Sequence, residues 1–261
     1  MIACGSYIAL TQGAVIAEID ASREPGLGGK LLYVRELTPV GCARVVAGNV
    51  AGCATLAATA DVAAQRQSTR DGVVDFLVTS LDEALRIVKN EIRQRKTVAV
   101  CVGAAPDVVE RELIERGVQP DLVFAGLRDQ NLVLPAFGAG TREVQPARQE
   151  PGISFLTWKV EQALTRWMPR LDHAALDLLD ANSWEHRWVS LAPRFLGRSR
   201  FAQRVLFCET SASEKILRRF GELVGSGEID VEVSGSVTSI ESSKAFRLKP
   251  GEVLQANVQD F

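Results

Sequence analysis

The chain has 261 residues, 46% of them hydrophobic and 24% charged, and a net charge of −2. That length suits one large domain or two small ones with a real core, in an ordinary globular composition. The near-neutral balance gives no electrostatic footprint for nucleic acid or an anionic membrane surface. No apolar run reaches the roughly 18 residues of a membrane span, and the N-terminus has no basic lead-in to a signal-peptide core.

In chain order, residues 1–28 are small and mixed. Tyr7 to Leu10 reads as a short strand, Thr11-Gln12-Gly13 as a turn and Ala14 to Asp20 as a short helix. Gly26-Leu27-Gly28-Gly29 precedes the first clear strand. A phosphate loop must follow a strand and open a helix, so this is read as a plain turn. Leu31 to Val34 is an apolar strand. Thr38 is a candidate N-cap, and Pro39 fits the first position of a helix that ends at Gly52. Ala54 to Thr59 is a second strand, stopping at Asp61. Ala63 to Thr69 is a short helix, and Val73 to Val78 reads as a buried strand.

Ser80 and Glu83 have capping-box spacing before an apolar stripe of Leu81, Ala84, Leu85, Val88 and Ile92. Thr97 to Val102 is a strand, Pro106 to Arg116 a helix closed by Gly117, and Leu122 to Ala125 a strand. Apolar strands alternating with helices signal a parallel sheet covered on both faces. The expected fold class is therefore α/β, a doubly wound, Rossmann-like, mostly parallel sheet.

Residues 135–152, rich in Pro, Gly and charge, read as a linker. Beyond them, Phe155 to Met168 is expected to be helical, with shorter helical pieces at Ala174 to Leu179 and Trp184 to Leu191. Val205 to Cys208 is a strand. Ser211 and Glu214 are read as a second capping box, on a helix ending at Gly225. Val231 to Val233 and Val237 to Ile240 are further strands.

Five cysteines, odd in number and without a CxxC pair, read as reduced thiols of a cytoplasmic protein. His173 and His186 have no acidic or thiol partners at ligand spacing, so no metal site is expected. Arg194, Arg198, Arg200 and Arg204 form a basic cluster, read as a solvated face or, alternatively, as an anion site. Tyr7 and Gln12 are candidates to line a cleft between two parts of the chain, Tyr7 as a substrate-binding residue.

Residues 80–123 (SLDEALRIVKNEIRQRKTVAVCVGAAPDVVERELIERGVQPDLV) resemble the helix–strand–turn–helix run of urocanase, the NAD-dependent urocanate hydratase of histidine degradation. The Gly29–Asp61 unit is similar in its Gly-Lys-Leu opening, and Thr11-Gln12-Gly13 in the Thr-Gln-Gly that precedes the family's cofactor domain. His186 to Ala192, Gln203 to Leu206 and Glu222 to Glu228 resemble stretches of the family's core. The resemblance implies a Rossmann-like part at residues 14–146. Residues 1–13 and 147–261 would be a reduced, mixed α/β remnant of the core.

The departures fall on chemistry. The family's glycine-rich NAD loop falls on Glu36 to Arg44, where only Leu37, Gly41 and Ala43 survive. Pro39 has no N–H for a pyrophosphate, and Glu36 brings a negative charge. The ribose-binding acid falls on Thr59, with Asp61 two residues on. The Gly-Asn turn is Gly103-Ala104. The Asp-Gln-Thr-Ser segment is missing near Phe124 to Leu127, where Asp129-Gln130-Asn131 is a shifted echo, and Gly-Arg-Asp-His is missing near Ser234 to Val237. No cysteine can be assigned as catalytic.

Of the family's cofactor contacts, Gln12 and Gly41 carry over. The expectation is a urocanase-like protein without urocanate hydratase activity, acting in small-molecule binding or in assembly, as a homodimer or with a longer relative. The alternative is an active hydratase, lyase or oxidoreductase that binds NAD or another nucleotide through a rearranged loop. Asp61 would then hold the ribose, and Thr38, Gly41 and Arg44 the phosphates.

Overall fold

Six parallel strands carry the first part of the computed structural model, which describes residues 2–18, 26–124, 137–145, 150–196 and 203–251, and the side chains of all of these except 11–18. The chain divides into two compact units, one drawn chiefly from residues 2–147 and the other from 148–194 and 198–261.

The first unit opens with helix α1 (Ile2–Glu18), which packs on α2 (Pro39–Ala51). This corrects the expectation of a strand at Tyr7 to Leu10 and a turn at Thr11 to Gly13. The helix is continuous across residues 13 and 14, where the sequence reading places a boundary. A short apolar run has no periodicity that separates strand from buried helix. Cys4, Tyr7, Ile8 and Leu10 are all buried.

Strands β1 (Leu31–Glu36), β2 (Ala54–Ala58), β3 (Phe76–Val78), β4 (Val98–Val102), β5 (Leu122–Phe124) and β6 (Arg142–Val144) are ordered β3-β4-β2-β1-β5-β6. Every pairing is parallel. Helices α3 (Val62–Arg70), α4 (Leu81–Arg93) and α5 (Pro106–Glu115) complete the crossovers with α2. The path runs from β1 to one edge and then back past β1 to the other. Right-handed crossovers therefore put α2 and α3 on one face and α4 and α5 on the other.

Local chemistry sets the helix ends. Ser80 caps α4 by accepting the Glu83 N–H, Gly52 ends α2 in the left-handed region, and Pro106 starts α5. The α4 and α5 face is an aliphatic core of Leu81, Leu85 and Val88 with Val109 and Leu113, packed on Leu31, Tyr33, Leu56 and Val100.

Two details differ from expectation. β3 is an edge strand, so Phe76 and Leu77 are exposed and only Val78 is buried. Part of the expected linker is β6, a charged three-residue edge strand that composition alone hides.

The second unit is a four-stranded antiparallel sheet, ordered β10-β9-β7-β8, from β7 (Ile153–Val160), β8 (Gln203–Glu209), β9 (Val233–Thr238) and β10 (Ser243–Leu248). Its helices are α6 (Leu164–Leu176), α7 (Trp184–Phe195) and α8 (Thr210–Gly225). The expected helix over Phe155 to Met168 is instead β7 followed by the start of α6. Leu156, Trp158 and Val160 alternate inward on β7, and Ala163, at φ 46°, turns the chain into α6. The second capping box is also corrected: α8 begins at Thr210 without a side-chain cap, and Ser211 Oγ donates to Glu209.

Candidate functional site

In an open parallel sheet, ligands collect at the carboxyl ends of the strands, where neighbouring strands continue to opposite sides. Here β1 continues to β2 on one side and β5 continues to β6 on the other. The crevice of such a fold is framed by Glu36 to Pro39 and by Phe124.

The β1–α2 turn is closed on itself. Thr38 is the N-cap of α2, and its hydroxyl accepts the Gly41 N–H at 3.1 Å. Its carbonyl accepts the Cys42 N–H at 2.8 Å, and the Cys42 thiol donates to the Leu37 carbonyl at 3.7 Å. Pro39 brings no N–H to the helix start. A Cβ on Gly41 would stand 1.7 Å from the Glu36 carbonyl oxygen. Gly41 therefore serves close packing of helix against strand, and its missing side chain leaves no cradle for a phosphate. Glu36 is exposed at the same edge. These residues do not fit a pyrophosphate held by the helix N-terminus.

Two arginines flank this edge. The Arg44 guanidinium lies over the Phe124 ring, 4.9 Å from its centre, and burial lowers its pKa. On the opposite face Arg35 sits at an irregularity in the β1–β2 register, where Val34 pairs with Ala57 and Glu36 with Ala58. Such bulges re-aim a side chain. Arg35 Nε donates to Glu110 Oε1 at 2.9 Å, and Tyr33 Oη donates to the same oxygen at 3.1 Å. Glu110 and Tyr33 are both buried. Desolvation, and then the Glu110 charge, raise the Tyr33 pKa well above its usual value.

Asp61 is exposed and caps α3, its Oδ1 accepting the Ala63 N–H at 2.8 Å. Thr38 and Asp61 thus begin the helices that follow adjacent strands, and each spends an oxygen on its own helix. Tyr7 is buried within α1. Gln12 lies in α1, but its side chain is outside the described ones, as are Asp129-Gln130-Asn131 and the residues 198 and 200 of the basic cluster. Arg204 is no part of a solvated face: it forms a buried ion pair with Asp172. Arg35, Tyr33 and Glu110 escape the sequence reading, although a charge inside an apolar strand was a visible signal.

None of the five cysteines is joined in a disulfide. Among the described residues no group of His, Cys, Asp or Glu is placed to hold a metal ion, and no helix is long and apolar enough to cross a membrane.

A family model described as the urocanase Rossmann-like domain matches residues 8–127. The chain is also 30% identical, over 152 residues, to the S-methyl thiourocanate hydratase of Variovorax sp. (strain JCM 16519 / RA8). That match covers 56% of this chain and 27% of the relative's length. The urocanase Rossmann-like domain is associated with NAD in its family. In its sheet order, its βα units and these two matches, the chain is similar to the urocanase family through a Rossmann-like domain at residues 8–127.

Proposed function

We propose that this chain is a urocanase-family protein that does not carry out NAD-dependent urocanate hydration and instead binds a small molecule. The observation that carries this is the closed β1–α2 turn. Thr38 consumes the Gly41 N–H, Pro39 offers none, and the Glu36 carbonyl fills the space beside Gly41. NAD chemistry needs its nicotinamide held rigidly beside the substrate, and a turn that cannot grip the pyrophosphate forfeits that. Assembly as a cytoplasmic homodimer belongs to the same reading, favoured by exposed Phe76 and Leu77 on an edge strand.

The test is turnover of urocanate and of S-methyl thiourocanate with NAD added. Hydration of either would refute the proposal. A second reading, nucleotide binding through side chains, is favoured by Arg44 and Arg35 flanking the carboxyl edge. It predicts nucleotide affinity that falls at least tenfold in Arg44→Ala.

A further inference from the structure

A hollow of about 630 Å³ lies at the amino ends of β1, β5 and β6, the end of the sheet opposite the crevice described above. Its walls are the Gly26 to Gly29 turn, the end of α4 and the starts of those strands. Four cations line it, Lys30, Arg93, Arg95 and Arg142, with one acid, Asp121. Asp121 is committed to the fold. Its Oδ2 accepts the Leu31 N–H at 2.7 Å, its Oδ1 pairs with Lys30 Nζ at 3.6 Å, and its carbonyl accepts the Arg142 N–H at 2.9 Å. Among the described residues no carboxylate pairs with Arg93 or Arg95.

Arg95 stands at φ 56°, in the left-handed region that side chains disfavour. It closes α4, its N–H donating to the Ile92 carbonyl at 3.0 Å and the Lys96 N–H to that of Glu91 at 2.9 Å. At the same position after α3, α5 and α8 the chain has glycine: Gly72, Gly117 and Gly227, at φ 68°, 63° and 79°. After α4 it carries an arginine despite the strain, and that arginine lines the hollow. Gly28 makes room for it, since a Cβ there would stand 3.1 Å from the Arg95 carbonyl oxygen and 3.4 Å from its Cβ. Helix-dipole compensation accounts for Arg93, in the last turn of α4. It does not account for Lys30 and Arg142, which come from strand starts.

We propose that this hollow binds a phosphate monoester of a small polar molecule, with Lys30, Arg95 and Arg142 on the phosphate. A monocarboxylate brings a single charge and two oxygens. A terminal phosphate brings nearly two charges and three acceptor oxygens, which matches guanidinium forks together with an ammonium. The space exceeds a bare phosphate and falls in the range of small-molecule sites. The internal pyrophosphate of NAD has no terminal phosphate and a single charge on each phosphorus, so it does not meet the same demand.

The inference goes beyond the reading of the β1–α2 turn, which concerns the opposite edge of the sheet. NAD binding or urocanate turnover would refute that reading and leave this site untouched. The test titrates the full chain with glucose 6-phosphate, followed by phosphorus NMR and calorimetry, beside glucose, inorganic phosphate, urocanate and NAD. Glucose 6-phosphate should bind at millimolar concentration or better, and more tightly than inorganic phosphate. Glucose, urocanate and NAD should not displace it. Arg142→Gln and Arg95→Gly should each weaken it roughly tenfold. Arg95→Gly should also shift the urea midpoint upward, because glycine relieves the left-handed strain. A structural role for Arg95 predicts the opposite shift. Absence of saturable binding, binding no tighter than that of inorganic phosphate, displacement by urocanate, unchanged affinity in both variants, or a lowered midpoint in Arg95→Gly would each overturn the proposal.

Discussion

The Arg44 guanidinium on the Phe124 ring ties the helix after β1 to the last residue of β5. The tie stands at the edge where a Rossmann-like sheet meets its ligand. Arg44 is thus a structural clasp in the protein as it stands. Arg44→Ala should destabilise the fold by roughly 0.5–2 kcal/mol, the range of a cation–π contact. Urea denaturation would read this as a lower midpoint with an unchanged slope.

Gly41→Ala should be far more costly than its size implies. The new methyl meets a backbone carbonyl rather than a movable side chain. Overpacking of this kind costs about 1–3 kcal/mol and sometimes more. Thr38→Ala should cost about 1 kcal/mol through the lost cap. Thr38→Ser, which keeps the acceptor, should stay close to wild type. Denaturation midpoints of the three variants check the ordering.

The Tyr33–Glu110–Arg35 cluster predicts an alkaline weakness. The Tyr33 pKa is raised in the folded state, while an unfolded tyrosine ionises near pH ~10. Below that pH both states keep the proton and nothing is lost. Above it the unfolded chain sheds a proton that the folded chain retains, so stability falls as pH rises. Tyr33→Phe should flatten this decline between pH 9 and 11. An equal slope in wild type and variant would remove Tyr33 as its source.

Thiol reactivity should be ordered by burial. Desolvation pushes Cys101 up to about 12 and Cys208 up to about 11, so both stay protonated in the native protein. Cys42 is half-buried, and the other four are buried. Mass spectrometry after limited alkylation at pH 8 should find Cys42 modified first. Cys101 and Cys208 should react only on unfolding.

From β1 to β5 the fold was legible because each signal was local. Apolar runs, the Ser80 and Thr38 caps, Pro106 and the closing glycines set the elements without help from tertiary structure. α1 was not legible, since a helix that is apolar nearly all round has no stripe to read. The strand β7 merged with α6 because Ala163, a residue with no preference for left-handed backbone, makes the break between them. β10 was missed because four of its six residues are exposed. At the site, the lost N–H of Pro39 could be read from the sequence. The seat of Arg44 on Phe124 and the meeting of Arg35, Tyr33 and Glu110 could not, because those partners lie 75–80 residues apart.

The most direct measurement is whether the protein holds NAD. Purified protein would be denatured and the supernatant analysed by mass spectrometry, with calorimetric titration of NAD into the native protein alongside. The closed β1–α2 turn predicts an empty supernatant and no binding heat at millimolar NAD. A stoichiometric dinucleotide in the supernatant, or saturable NAD binding that Arg44→Ala weakens, would contradict it and put the enzyme reading first.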